Sequence, residues 1–336
     1  MRTLESYGER TAGSVPLVLA RALDPLVAFC DRVGLPPPHL PAGLRTGGAT
    51  LPLVCAGFIW EETAFAAGEE NVGLSVGAGS RFEEIPLGQV VRGSLTIGAG
   101  LATAARESSH YSTGHRLWIT ERDGDVWVQR RYADALRRGR RQANDFALQM
   151  VIDFIRHGAG PYWRPAELYL EGPPPTHAEE LAALATDSTH FGATTECLVF
   201  PRSVLALPLP PREGRFLPVP PTPPGDFASS VYATIQSMLE LGELRLPSVA
   251  EAAGTSVRSL QRHLAASNLS FARLVDEARF EAASALLRDP GLRIVDVSAE
   301  LGYTDAANFT RAFRRWAGVP PLVFRRAQLG PAIGVR

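Results

Sequence analysis

The sequence predicts two domains of different class: an α+β domain in the N-terminal part, and an all-α domain with two helix-turn-helix units in the C-terminal part. Three observations carry this. Alternating apolar and polar residues, the mark of strands, occur only upstream of residue 207. Between Pro208 and Pro224 lie eight prolines, in "PLPPREGRFLPVPPTPP". Proline lacks an amide donor and forces extended geometry on its predecessor, so the stretch reads as a semi-rigid linker. Every segment beyond it has helical period, and one helix-turn-helix pattern occurs twice. The expected boundaries are 1–206, a Pro-rich linker over 207–226, and 227–330.

In the N-terminal domain, residues 15–33 have helical apolar spacing and a second apolar segment spans 51–65. A helix is expected over 94–109. The alternating "HRLWITE" and "DVWVQRRY" flank Asp123 and Gly124, a pair suited to the positive backbone angles of a tight hairpin turn. A long helix (141–156), a strand (165–170), a helix (177–185) and a short strand (196–200) follow.

In the C-terminal domain, Asp226 can cap a helix in which Val231, Ile235, Met238 and Leu239 share one face. Within "SVAEAAGTSVRSLQRHL", Ser248 and Glu251 have the S-x-x-E spacing of a capping box, and the helix they open stops at Gly254. A second starts at Ser256. It places Val257, Leu260 and Leu264 on one face and turns Arg258, Ser259, Gln261 and Arg262 away. Forty-nine residues later the arrangement returns: Leu260, Arg262 and Leu264 of "LQRHL" correspond to Phe309, Arg311 and Phe313 of "FTRAF", again after a helix ending in glycine, Gly302. Residues 271–288 form one long helix between the units. In the second unit Phe309, Phe313 and Trp316 are spaced by four and three and face the core. Asn308, Thr310, Arg311 and Arg314 remain outside. Short or forked hydrogen-bonding groups on an exposed helix face suit base edges in the major groove and the adjacent phosphates.

Charge agrees with that placement. The chain of 336 residues carries a net charge of −1, and all 34 of its basic residues are arginine, as a GC-rich coding bias would produce. Residues 1–227 hold 21 arginines against 25 acids, a net of −4, whereas residues 228–336 hold 13 against 10, a net of +3. A case for a polyanionic partner therefore belongs to the C-terminal third alone.

Other chemistries find little support. Cys30, Cys55 and Cys197 are odd in number and lack metal-site spacing, so they read as reduced core residues. The first twenty residues have no basic start followed by an apolar run, and the longest nearly apolar stretch, 51–60, is half a bilayer span, so a cytoplasmic protein without a membrane partner is expected. "IGAGLATAA" holds Gly98 and Gly100 of a dinucleotide loop, with Glu121 downstream. The third glycine is missing, and small residues for close helix packing explain the segment better. His110 and His115, five apart, lack a ligand partner at recognisable spacing and read as surface or satisfied polar residues. A chain without lysine has no Walker lysine and no Schiff base, and no nucleophile elbow or H-E-x-x-H occurs. No catalytic residue, cofactor or metal is expected, and the protein is not read as an enzyme. A small-molecule pocket in the N-terminal domain would draw on Trp60, Tyr111, Trp118, Trp127 or Arg116, each as readily explained as core or surface, so no effector-binding residue is assigned.

At "GYTDAANFTRAFRRWAGVPPLVFR" the sequence resembles the AraC/XylS family of bacterial transcription regulators, over about 100 residues from Phe227 to about Arg326. The resemblance implies two helix-turn-helix units joined by a linker helix, with recognition helices in successive major-groove segments of promoter DNA. By matching positions, Arg258, Gln261, Arg262, Asn308, Thr310 and Arg311 are the leading readout residues. Ala307 departs from the serine frequent at its place. Through "YWRPAELYLEGPPP" and "FGATTECLVFPRSVLALPLP" the N-terminal half is similar to arabinose-regulator-type effector domains. This implies sensing of an unknown small-molecule effector, a dimer-forming role left open, and RNA polymerase as a partner if the protein activates. The rival reading is a small-molecule-binding or catalytic protein whose helical domain is only a partner surface.

Overall fold

The computed structural model describes residues 3–4, 14–38, 40, 44, 48–91, 93–176, 178–210, 223–242 and 244–329. Of the Pro-rich linker, residues 211–222 lie outside the described residues, as does His177 at the expected start of a helix. The chain divides into two compact units, Met1–Ser230 and Val231–Arg336.

The first unit is α+β. Its six-stranded sheet runs in the order β1 (Thr3–Leu4), β4 (His115–Arg122), β5 (Asp125–Tyr132), β8 (Glu196–Pro201), β6 (Glu167–Glu171), β7 (Ser188–Ala193). Every neighbouring pair is antiparallel except β6 with β7. A separate ribbon pairs β2 (Leu17–Leu19) with β3 (Thr50–Pro52). The β4–β5 hairpin turns through Asp123 and Gly124, at φ of 52° and 92°, the left-handed pair that matches strand twist. Period-2 alternation then buries Leu117, Ile119, Val126, Val128 and Arg130. Trp118 and Trp127 occupy the opposite face, beneath the guanidiniums of Arg116 and Arg122, each 5.5 Å from its ring.

The helices of this unit are α1 (Asp24–Val33), α2 (Leu53–Ala67), α3 (Val72–Ala78), α4 (Pro86–Val91), α5 (Ile97–Glu107), α6 (Arg140–Ala159) and α7 (Ala178–Ala182). The long α6 is central and packs on α2, α3 and α5. A buried polar cluster ties it to the sheet: the Arg130 guanidinium donates to Glu196 Oε2 at 2.8 Å and to the Asn144 carbonyl, while Arg140 grips Glu171 at 2.6 and 3.1 Å.

Two sequence expectations are corrected here. Residues 15–33 are not one helix, because Leu17–Leu19 is a strand, Ala20–Leu23 a 3₁₀ turn, and α1 begins only at Asp24 with Pro25 in its first turn. The apolar segment at 51–65 likewise gives its first residues to β3. These two pieces pair with each other across the chain, and local periodicity carries no trace of such pairing. The strand β7 and the helices α3 and α4 were not expected. β7 is read poorly because its burial alternates only weakly at the sheet edge.

The second unit is helical throughout its described residues. It comprises α8 (Phe227–Glu240), which spans the division, α9 (Leu246–Ala252), α10 (Val257–Ala266), α11 (Phe271–Leu286), α12 (Ile294–Glu300), α13 (Ala306–Ala317) and α14 (Pro321–Leu329). Asp226 Oδ1 accepts the Ser229 amide at 2.9 Å, the expected cap of α8. The Ser248–Glu251 capping box is not formed. α9 starts two residues earlier, with Pro247 in its first turn, where a missing amide costs nothing. Ser248 is therefore already inside the helix.

Candidate functional site

Both expected recognition helices are built the same way from their first residue. Ser256 caps α10, its Oγ accepting the Ser259 amide at 3.2 Å, and Asp305 caps α13, its Oδ1 accepting the Asn308 amide at 2.7 Å. The preceding helices are halted by Gly254 at φ 62° and Gly302 at φ 75°, left-handed positions that a Cβ would disfavour. The second turn is one residue longer than the first, since Thr255 alone lies between Gly254 and Ser256, whereas Tyr303 and Thr304 lie between Gly302 and Asp305.

Each helix is then anchored by its apolar face. Leu260 and Leu264 in α10, and Phe309 and Phe313 in α13, are fully buried. Burial of each such side chain contributes about 1.5–3 kcal/mol. Phe313 sits 5.7 Å from Phe280 of α11 and 5.2 Å from Phe324 of α14. Arg325 then donates from Nε to the Leu287 carbonyl at 3.1 Å, so the aromatic-Arg pair ending the motif fastens α14 to the end of α11.

The polar faces point outward. Arg258, Gln261, Arg262, Asn308, Arg311 and Arg314 are exposed, while Ser259 and Thr310 are half-buried. Thr310 already spends its hydroxyl proton on the Ala306 carbonyl at 2.7 Å, leaving lone pairs only. Ser259 Oγ accepts from Ser256 Oγ at 3.1 Å. In α13 the exposed groups form a ladder: Asp305 accepts from the Asn308 side-chain amide, whose oxygen in turn accepts from the Arg311 guanidinium. Sequence reasoning missed this ladder, and it missed the notch beside it, where Arg279 of α11 and Arg315 of α13 join Asn308 and Arg311. Arg315 is tied to Asp276 of α11 at 3.0 Å. The i, i+3 spacing of Asp305, Asn308 and Arg311 was the available signal.

The first unit contains a cavity of about 140 Å³, floored by alternate residues of β4 and β5 and walled by α4, α5 and α6. Of the aromatic and basic residues considered from sequence, Tyr111 alone reaches it, because Trp118 and Trp127 lie on the other sheet face and Trp60 packs against Phe146 at 5.4 Å. His115 also lines it. Rather than being a surface or satisfied residue, it has a buried Nε2 without a hydrogen-bond partner among the described residues. Burial first, and Arg130 second, push its pKa down to about 3, so the imidazole is neutral. The glycine-rich "IGAGLATAA" lies inside α5, and Glu121 pairs with Arg202 at 3.0 Å. Among the described residues no group of histidine, cysteine and acidic side chains could hold a metal ion, and no helix is long and apolar enough to cross a membrane.

Comparison with known proteins fits both units. The family described as "Arabinose-binding domain of AraC transcription regulator, N-term" matches residues 26–209, and "Helix-turn-helix domain" matches residues 249–327. An HTH-type transcriptional regulator of Mycobacterium tuberculosis is 32% identical over 145 residues, 40% of this chain and 42% of its own. The ornithine utilization regulator of Pseudomonas aeruginosa is 37% identical over 73 residues, 22% of each chain. The chain thus spans less than half the length of these curated relatives. The crystal structure of the transcriptional regulator CdpR from Pseudomonas aeruginosa is similar at a TM-score of 0.42 and 19% identity, over 90% of this chain and 97% of its own. With the first of the two family matches covering more than half of its residues, the chain belongs to the AraC-type transcription regulators.

Proposed function

We propose that this protein is a sequence-specific DNA-binding transcription regulator. Residues 227–330 bind promoter DNA through α10 and α13, and residues 1–206 sense a small-molecule effector that modulates that binding, with residues 207–226 as linker. The observation that carries this is the pair of helices, each capped by a side-chain oxygen and anchored by two buried residues, that turn Arg258, Gln261, Arg262 and Asn308, Arg311, Arg314 to solvent within the basic third of the chain. Arginine forks match guanine edges and phosphates, and Gln and Asn match adenine edges. The half-buried Ser259 and Thr310 are assigned to phosphate or helix-positioning contacts. No catalytic step is needed, and the reading places the protein in the cytoplasm with DNA.

Footprinting on DNA upstream of its own and neighbouring genes tests this. Protection of a defined site that weakens steeply with salt is expected. Arg262→Ala and Arg311→Ala should each lose about 1–3 kcal/mol at that site and flatten the preference at one base pair. Unchanged affinity and preference in both variants would remove the assignment of these helices, and the absence of any protected site at low salt would favour the partner-surface reading instead.

A further inference from the structure

The cavity in the first unit has walls, a size and a polar inventory that together define what it can hold. We propose that it takes a small, uncharged, mostly apolar molecule about the size of a substituted benzene ring, carrying one hydroxyl or carbonyl that pairs with Tyr111 and His115, and not a sugar. This rests on the reading that the N-terminal domain senses an effector, and it names the chemical class of that effector.

Size is the first argument. The volume is about 140 Å³, close to that of an apolar cavity of about 150 Å³ that binds benzene. The walls are the second: Val18 of β2, Leu101 of α5, and Met150 and Phe154 of α6 present hydrocarbon from three different elements. The polar inventory is the third. Three of the polar side chains that reach the cavity are already engaged by protein. Ser108 Oγ donates to the Ala105 carbonyl at 3.0 Å. Ser112 Oγ donates to the Leu17 carbonyl and accepts from the Gly114 amide, both at 3.1 Å. The Arg130 guanidinium is held by Glu196 and Asn144.

Tyr111 Oη and His115 Nε2, by contrast, are buried without a partner among the described residues. A buried orphan polar atom is costly, and a ligand hydroxyl or carbonyl relieves it. A pentose brings four hydroxyls and a ring oxygen, each needing a partner, and would leave several unpaired. A carboxylate needs a cation. The Arg130 charge is neutralised by Glu196 at 2.8 Å, and His115, held near pKa 3 by burial and Arg130, is uncharged. Neutrality of the ligand follows.

The test uses the full chain with benzyl alcohol, toluene, benzoate and L-arabinose, read by thermal unfolding and titration calorimetry. Benzyl alcohol is expected to raise the midpoint saturably, toluene to do so more weakly, and benzoate and arabinose to do nothing. Tyr111→Phe keeps the ring and removes the hydroxyl. It should weaken benzyl alcohol about three- to tenfold while leaving toluene unchanged, whereas a merely structural role would move both probes equally. Ala104→Leu, which fills the cavity from α5, should abolish both. Stabilisation by arabinose or benzoate equal to that by benzyl alcohol, or no saturable response to either apolar probe, overturns the proposal. A metabolite that shifts the DNA footprint equally in Ala104→Leu also overturns it while leaving effector sensing intact. Cavity binding that obeys these rules but never alters the footprint supports the ligand class and overturns the sensing role.

Discussion

Single residues in this protein divide by whether their polar atoms are already spoken for. Arg325 and Arg311 look alike in sequence, yet the first is bonded to the Leu287 carbonyl and the second is exposed on α13, steadied by Asn308. Preorganisation of that kind reduces the side-chain entropy lost when an arginine engages DNA. Asp145 is the opposite case, a carboxyl buried in α6 with Oδ2 unpartnered among the described residues. Burial first, and the Glu196 charge second, push its pKa up to about 7. Between its ordinary value and about 7 the folded state keeps a proton that the unfolded state has released. Stability from this group therefore falls as pH rises through that window, and the full cost is present above it. His115 slopes the other way: its folded pKa of about 3 lies below the ordinary value, so it adds stability as pH rises from about 3 to 6.5. Asp145→Asn is expected to stabilise the protein at pH 8, by about 1–4 kcal/mol, and to change little near pH 4. Denaturant unfolding at the two pH values checks this, and equal gains at both would show that the carboxyl is not protonated in the fold.

Elements are positioned by where small residues let backbones and rings approach. Helix α5 carries Gly100 where a Cβ would stand 2.3 Å from Phe154 Cζ of α6, too close for either to stay. The glycine is there for packing, and the same Phe154 lines the cavity. Gly100→Ala should push the Phe154 ring inward, cost about 1–3 kcal/mol by urea unfolding with the slope unchanged, and weaken binding of the apolar probes. Retained stability and retained binding would mean that α5 has room to shift. In the second unit the elements were readable from sequence because their signals are local. Caps at Ser256 and Asp305, terminating glycines at 254 and 302, and apolar residues at spacings of four all act within one helix. The exception, the S-x-x-E at Ser248, failed because Pro247 already starts the helix upstream.

For the whole molecule, division into two compact units lets the proposed sensing and DNA-binding roles be tested separately. Deleting residues 1–206 should remove the effector response and leave DNA affinity measurable by footprinting, and a truncated protein that still responds would refute this division of labour. The sequence by itself determined the class of each unit, the β4–β5 hairpin, and the repeated helices with their outward arginines, because each depends on residues within a turn or two of one another. Only the tertiary structure decided that β2 and β3 form a ribbon, that Trp118 and Trp127 face away from the cavity, and that Tyr111 and His115 both line it with polar atoms unpaired among the described residues. Those outcomes are set by strand pairing and sheet-face choice between segments tens of residues apart, and local sequence pattern does not encode which distant partner a buried surface will find.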